Sequence, residues 1–313
     1  MTNYTEIKES LETCFKELRM PTFRDCWEES AKRAEEEQMS FGEFLLELAE
    51  LECGERERKR IERELRRSRL PLEKSLEFFD LDRLPIGTQR KLRALSEGDF
   101  ARRCENVLAF GNPGSGKTHA LCGIGQELIR QSGGRTKVYF APCSHFVQML
   151  QEAKKRLELE KELDRLSRYD VVIIDDLGYV QQSREEMEVL FSFLAHRYER
   201  GSVMISSNLP FSKWENIFKD PMTTAAAIDR LVHHSVILEL NVTSYRLEES
   251  KKKKNQKKNN GMGALPPNPR DNALKPCRDI KWAAPVKGRP SLHGPMSALG
   301  LLPSKPYPPH GQT

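Results

Sequence analysis

The sequence has no run of roughly 18 apolar residues, so it offers no segment long enough for a transmembrane helix. Its first ten residues, MTNYTEIKES, do not place a basic segment before an apolar core, so we expect no secretory signal. The seven cysteines show neither C-x-x-C pairing nor the spacing of a metal site, which suits a reducing compartment. These absences predict a cytoplasmic protein that does not associate with a membrane.

The net positive charge lies at the end of the chain, whereas the body is mildly acidic. Residues 251–313 carry thirteen Lys or Arg against two Asp, a net charge of +11. The whole chain has a net charge of +5, so residues 1–250 carry −6. Eleven prolines follow Leu247, and large apolar residues are few there. We therefore predict a disordered, basic, proline-rich tail over 248–313.

A glycine-rich loop is the most specific motif in the chain. Residues 107–118 read VLAFGNPGSGKT, an apolar strand followed by G-x-x-x-x-G-K-T and a helical stretch. The backbone N–H groups of such a loop, and the N-terminus of the helix after it, bind phosphate oxygens. Lys117 is expected to reach the β- and γ-phosphates, and the Thr118 hydroxyl to bind Mg²⁺. The predicted cofactor-binding residues are Gly111, Asn112, Pro113, Gly114, Ser115, Gly116, Lys117, Thr118 and His119.

Polar residues at the ends of two later strands complete a predicted site for ATP hydrolysis. The run 171–174, Val-Val-Ile-Ile, reads as a buried parallel strand and ends in Asp175 and Asp176. Asp175 is the expected Mg²⁺ ligand, while Asp176 is expected to orient or deprotonate the attacking water. Asn208 follows another strand and either hydrogen-bonds the γ-phosphate or the water, or merely begins a turn before Pro210. The sequence thus predicts an ATPase with ATP and Mg²⁺ as cofactors.

Arg230 is the third candidate catalytic residue, and two interpretations of it stay open. It stands late on a predicted helix beside Asp229, so a local ion pair is the simpler one. The other is an arginine finger that reaches the nucleotide of a neighbouring subunit. His233 and His234 lack partner spacing for a metal site, and we interpret them as structural.

Alternation of strands and helices predicts an α/β protein with a five-stranded parallel sheet covered on both faces. The predicted domains are a helical N-terminal DNA-binding domain (1–69), a linker (70–106), an ATPase domain (107–247) and the tail. Within the linker, Phe78, Phe79 and Pro85 are candidates to lie near the nucleotide base. The strands are predicted near 107–111, 137–141, 171–175, 202–207 and 235–240, and the helices near 116–131, 143–166 (interrupted), 184–199 and 223–233.

The N-terminal region predicts three helices, the third of which starts with a capping box at Ser40-Phe-Gly-Glu43. Its last part, 55–69, holds eight cations against four acids. The pattern fits either a solvated helix with i,i+4 ion pairs or contact with nucleic-acid phosphates, which arginine binds bidentately. The candidate DNA-binding residues are Arg56, Arg58, Arg63, Arg66 and Arg67, with Lys154, Lys155 and Arg156 as a second stripe.

Several of these segments together resemble one family. GNPGSGKT, VVIIDDLGY, SSNLP and AAAIDRLVHHSV resemble the AAA+ ATPases related to the helicase loader DnaC, and more closely the IstB transposition helpers. The segments LRMPTFRDCWEESAKRAEEE and RERKRIERELRRSRLP look like the IstB N-terminal helical domain. The resemblance covers about residues 10–247. It implies a P-loop AAA+ fold, ATP-driven self-association into an oligomer on duplex DNA, and delivery of that DNA to a cognate transposase.

Two positions bear on how far this resemblance extends. The family commonly has Asp-Glu where this chain has Asp175-Asp176. Tyr245-Arg246 resembles the family's terminal S-Y-R, in which the arginine would sense nucleotide.

Three functions compete on these features. A transposition helper and a DnaC-like helicase loader share the ATPase, but the arginine-rich helix suits a DNA backbone and favours the first. A small-molecule kinase lacks support, because residues 177–200 show no cluster that could bind a phosphate acceptor.

Overall fold

The computed structural model describes residues 3–179, 183–218, 220–242 and 244. The predicted tail and the Tyr245-Arg246 pair lie outside the described residues. In the described part of the chain, every helix is too short or too polar to span a membrane.

Three helices form the N-terminal region: α1 (Tyr4–Glu17), α2 (Pro21–Glu36) and α3 (Phe41–Ser68). Their small core holds Phe23, Trp27 and Leu48. The capping box is confirmed at the start of α3, where the Glu43 carboxylate accepts from the Ser40 N–H at 2.8 Å. In the other direction, the Glu43 N–H donates to Ser40 Oγ at 3.3 Å.

The segment 70–106, predicted as a linker, is in large part helical. It contains two 3₁₀ turns (Leu76–Phe78 and Leu81–Arg83), α4 (Ile86–Ser96) and α5 (Asp99–Arg102). Leu92, Leu95 and Phe100 from α4 and α5 are buried in the core of the sheet. The sequence pattern missed these helices because they are short and depend on tertiary packing rather than on a long apolar stripe.

The five predicted strands are confirmed, each within two residues of its expected ends. They are β1 (Asn106–Phe110), β2 (Val138–Pro142), β3 (Val171–Leu177), β4 (Ser202–Ser207) and β5 (Ser235–Glu239). All pair in parallel, in the order β2-β3-β4-β1-β5. This confirms the predicted α/β P-loop class, and it places the loop after β1 beside the ends of β4 and β3.

Helices cover both faces of the sheet: α6 (Lys117–Gln131), α7 (Cys143–Lys155), α8 (Leu159–Ser167), α9 (Arg184–Arg197), α10 (Glu215–Phe218) and α11 (Pro221–Val232). The strand β3 shows why the apolar run was continuous. Val172 and Ile174 pack in one core with α7 and α9, whereas Val171 and Ile173 pack in the other with α6. A strand buried on both faces needs apolar residues at every position.

The second half of α3 leaves the N-terminal core and packs on the turn between α6 and β2. The Arg60 Nε donates a hydrogen bond to the Gly133 carbonyl. The backbones approach so closely that a Cβ on Gly134, where φ is +72°, would lie 2.8 Å from the Arg60 carbonyl carbon. The described residues belong to one compact unit, Met1–Met262.

A buried arginine connects three segments of the chain through hydrogen bonds. Arg197, 3% exposed at the end of α9, donates hydrogen bonds to four backbone carbonyls. The acceptors are Leu166 (3.1 Å), Tyr169 (2.6 Å), Asp170 (2.8 Å) and Ser202 (3.2 Å). Burial lowers the pKa of its guanidinium to about 10, so it stays charged at neutral pH.

Candidate nucleotide-binding site

The glycine-rich loop has the backbone that the motif predicts. Gly116 caps α6 in a left-handed conformation, with φ of +94°. A Cβ at this position would lie 3.0 Å from Cε2 of Phe79, so glycine allows the ring to rest closely against the loop. A helix N-terminus that follows such a loop is suited to bind phosphate oxygens through its backbone N–H groups.

The Lys117 side chain lies inside the loop. It is 5% exposed, and its ammonium donates to the carbonyls of Gly111 at 2.9 Å and Asn112 at 3.1 Å. A buried lysine whose ammonium donates to backbone carbonyls is well suited to take up phosphate oxygens as stronger acceptors.

The two residues predicted to hold Mg²⁺ contact each other. Thr118 Oγ1 donates to Asp175 Oδ1 at 2.8 Å. The same carboxylate oxygen accepts from Ser206 Oγ at 2.6 Å, and Asp175 is 7% exposed. A carboxylate beside a hydroxyl, both at the phosphate loop, is the oxygen donor set that Mg²⁺ prefers. The donor set thus fits the predicted metal.

Asp176 and Asn208 both line the cavity next to the loop. Asp176 has a left-handed backbone, with φ of +60°, and its N–H donates to Ser206 Oγ at 2.8 Å. The buried Oδ1 of Asn208 has no hydrogen-bond partner among the described residues. An unpaired buried acceptor at a cavity wall is suited to a water or ligand donor.

The cavity has a volume of about 640 Å³, which suits a nucleotide-sized ligand. Phe78 and Phe79 line it, whereas Pro85 does not and instead precedes α4. Gly111 and Asn112 line a second cavity of about 390 Å³, which Asn208 also borders. The first cavity is lined by Lys74, Phe78, Phe79, Asp80, Arg83, Leu84, the loop 113–118, His119, Asp176, Tyr179, Asn208 and Val242.

His119 fixes the segment that carries the two phenylalanines. Its Nε2 lies 2.7 Å from the Ser75 carbonyl oxygen. Its ring meets Phe79 edge to face, with centroids 5.1 Å apart. His119 therefore lies in the predicted region, as a residue that shapes the cavity wall.

Arg230 lies away from this cavity, among the described residues that do not line it. Its guanidinium stacks on the Phe191 ring at 4.9 Å and donates to the Ala226 carbonyl at 3.0 Å. Among the ion pairs that the described residues form, none joins Arg230 to Asp229. The local ion pair is therefore not what holds this side chain.

The candidate arginines of α3 are exposed, but most are engaged in ion pairs. Arg56 pairs with Glu52 at 2.6 Å, and Arg58 with Glu55 at 2.7 Å and with Glu62. This is the pattern of the first interpretation, an ion-paired solvated helix.

Further along α3, the nearly buried Glu64 is approached by two arginines. Arg63 lies 3.4 Å and Arg67 3.1 Å from its carboxylate. Arg66 is exposed and forms no ion pair with a described residue.

The second candidate stripe lies where α7 ends. Lys154 and Lys155 form its last turn, and Arg156 follows as its C-cap. Lys154 pairs with Glu188 at 3.4 Å, and the next residue, Leu157, is 95% exposed. The stripe is thus on the surface and separate from α3 in sequence.

Sequence reasoning missed Ser206. It is fully buried in β4 and contacts both acids of the site, Asp175 and Asp176. A signal was present in the pair Ser206-Ser207, because two consecutive hydroxyls at the end of an otherwise apolar central strand need partners.

Comparisons with known proteins place the chain in a family. The family described as IstB-like ATP binding protein matches residues 13–253. An insertion sequence ATP-binding protein of Sinorhizobium fredii is 42% identical over 231 residues, which cover 74% of this chain and 76% of that protein. The IS5376 ATP-binding protein of Geobacillus stearothermophilus is 34% identical over 252 residues, 80% of this chain and 99% of that one. The crystal structure of the DnaC helicase loader aligns with a TM-score of 0.47 and 15% identity, covering 55% of this chain and 98% of that chain.

Proposed function

This chain belongs to the IstB-like ATP binding protein family, and on that premise we propose that it hydrolyses ATP as an oligomer that holds duplex DNA for a partner transposase. The observation that carries the ATPase part is the contact of Thr118, Asp175 and Ser206 beside the phosphate loop. The relatives are named as ATP-binding proteins of insertion sequences, which supports ATP binding by this chain. The family resemblance supports the parts on DNA and on the transposase, and the exposed arginines of α3 support the part on DNA.

Each polar group of the site has a proposed task. The loop N–H groups and Lys117 hold the phosphates, and Thr118 and Asp175 hold Mg²⁺. When bound, the metal neutralises charge on the phosphate oxygens. Asp176 takes a proton from the attacking water, and the unpaired Asn208 Oδ1 accepts a hydrogen bond from that water.

Phosphate release by the purified protein, measured with and without duplex DNA, tests the proposal. We expect turnover that requires Mg²⁺, and DNA binding that is tighter with a non-hydrolysable ATP analogue than with ADP. Binding that prefers single-stranded DNA would instead favour a helicase loader. No turnover under any condition would contradict the ATPase part.

Arg230→Ala is expected to keep its ATP affinity but to lose hydrolysis by roughly 1,000-fold, because the arginine acts on the nucleotide of a neighbouring subunit. Its position away from its own cavity, stacked on Phe191, supports action between subunits. Equilibrium ATP binding and phosphate release measure the two properties separately. Arg200→Ala, at an exposed arginine, serves as the control.

Mixing experiments separate a finger from a structural arginine. The Arg230→Ala subunit keeps an intact nucleotide-binding site, and the Lys117→Ala subunit keeps the arginine. In a mixed oligomer, some interfaces therefore bring an intact site and an intact arginine together. The mixture should therefore recover part of the lost turnover. If both variants fold and assemble but the mixture stays inactive, Arg230 does not act between subunits.

ATP-dependent DNA binding is expected to depend on α3, and ATP-independent binding on the tail. If one subunit neutralises about four phosphates, log affinity should fall with log salt at a slope of about −3.6 per subunit. The variant is Arg63→Gln/Arg66→Gln/Arg67→Gln, since glutamine next to Glu64 avoids the like charges that reversal would create. It should lose the ATP-dependent binding, which is measured by fluorescence anisotropy over a salt series.

Two further proteins complete this test. Truncation after Arg246 should weaken total binding and leave the ATP-dependent part intact, because a polycation binds any polyanion regardless of nucleotide. Arg93→Gln, at an exposed arginine on α4, should change neither part. If truncation abolishes the ATP-dependent binding and the triple variant keeps it, the DNA site is not on α3.

A further inference from the structure

We propose that Ser206 is a positioning residue: a single hydroxyl that sets the geometry of both acids of the site and thereby the affinity for Mg²⁺. The inference rests on the proposed nucleotide and metal site, which it deepens. Ser206 Oγ donates to Asp175 Oδ1 at 2.6 Å and accepts from the Asp176 N–H at 2.8 Å. Because a hydroxyl is both donor and acceptor, one serine can serve two neighbouring residues in this way.

The register of the sheet explains why Ser206 meets two acids. In the pairing of β3 with β4, Ile174 lies opposite Ile205 and Leu177 lies opposite Ser207. Between these pairs, β3 has Asp175 and Asp176, whereas β4 has Ser206 alone. Two residues opposite one is the definition of a β-bulge. The bulge therefore brings both acids to one serine, and strand pairing fixes that serine from its other side, where it lies opposite Ala109 of β1.

The backbone of Asp176 needs this support. Its φ of +60° is in the left-handed region, which side-chain-bearing residues rarely adopt. Asp176 is one of the two residues of the bulge, and its N–H donates to the Ser206 hydroxyl. Without that hydroxyl, the bulge loses the hydrogen bond that holds Asp176 toward the cavity.

The Asp175 carboxylate is oriented by the same group. Oδ1 receives two hydroxyl donors, Thr118 at 2.8 Å and Ser206 at 2.6 Å. Oδ2 accepts no hydrogen bond from a described residue, so it is the oxygen left for a metal ion or its water. Groups that orient metal ligands through hydrogen bonds typically change metal affinity by about 10- to 100-fold when removed.

Neighbouring serines provide a matched set of variants. Ser206→Ala removes the hydroxyl, and Ser206→Thr restores it in a residue that strands accept well. Ser207→Ala is the control, because Ser207 is also buried but bonds only to backbone, donating to the Leu177 carbonyl at 2.9 Å. Its hydroxyl touches neither acid.

The decisive measurement is Mn²⁺ binding to each protein with a non-hydrolysable ATP analogue, followed by electron paramagnetic resonance. Affinity for the analogue without metal is measured in parallel. We expect Ser206→Ala to bind Mn²⁺ at least 10-fold more weakly while binding the metal-free analogue normally. Ser206→Thr should stay within about 3-fold of the parent, and so should Ser207→Ala.

Phosphate release is recorded on the same proteins. Failure of the proposed hydrolysis and failure of the inference on Ser206 then give different results. If the parent binds the analogue with Mn²⁺ but never turns over ATP, the proposed hydrolysis fails and the metal affinities still decide on Ser206. Parent-like Mn²⁺ affinity of Ser206→Ala would overturn the inference. An equal loss in Ser207→Ala would overturn it as well, since the effect would then reflect packing of β4.

Discussion

Lys117→Ala is expected to weaken ATP binding by roughly 100-fold or more, because it removes a buried cation at the phosphates. The ammonium lies inside the loop, bonded to the carbonyls of Gly111 and Asn112, where phosphate oxygens are expected. Removing it leaves those carbonyls facing the phosphates with no positive charge between them. Titration with a fluorescent ATP analogue measures the loss.

Asp176→Asn is the matched control for this variant. The side chain lines the same cavity but does not belong to the loop. It should bind ATP like the parent and hydrolyse it roughly 100-fold more slowly, because an amide cannot accept the proton of water. Near-normal turnover would remove Asp176 from the proposed role, and retained binding by Lys117→Ala would contradict the placement of the phosphates.

Arg197→Met is expected to lower the free energy of unfolding by about 3 kcal/mol or more. The guanidinium donates to four carbonyls of three segments, and methionine fills similar space without any donor. Buried carbonyls that lose their donor are costly because no water replaces it. Urea unfolding followed by circular dichroism measures the change in midpoint at constant slope.

Two further variants show whether the charge of Arg197 or its hydrogen bonds account for the loss of stability. Arg200→Met, at an exposed arginine three residues later, should unfold within about 0.5 kcal/mol of the parent. Arg197→Lys keeps the charge, but one ammonium cannot reach all four carbonyls, so it should rescue only part of the stability. If lysine rescues fully, charge alone is the requirement; if methionine costs nothing, the hydrogen bonds seen around Arg197 do not stabilise the fold.

The parts predictable from sequence were those in which one segment determines its own structure. A strand buried on both faces needs the continuous run 171–174, and a loop that surrounds phosphate needs Gly116 ahead of Lys117. The capping box at Ser40 likewise involves residues only three positions apart. These signals are local, so the five strands and the nucleotide loop were predicted within two residues.

The rest depended on pairs distant in sequence. Ser206 meets Asp175 only through the register of β4 against β3. Arg197 looks like an ordinary cation at a helix end, and nothing local says that four carbonyls converge on it. The short helices α4 and α5 gain their stability from burial of Leu92 and Phe100, which no periodicity within 11 and 4 residues can reveal.

The length of α3 has a mechanical consequence. Its 28 residues extend from the N-terminal core to the turn at Gly133 and Gly134, against which Arg60 rests. At 1.5 Å per residue, Phe41 lies about 29 Å from Arg60 along the helix axis. A tilt of about 10° at that pivot would carry the N-terminal helices through roughly 5 Å. A rotation of α3 beside α6, the helix that begins at the phosphate loop, would therefore displace the N-terminal helices farther than the residues at the pivot.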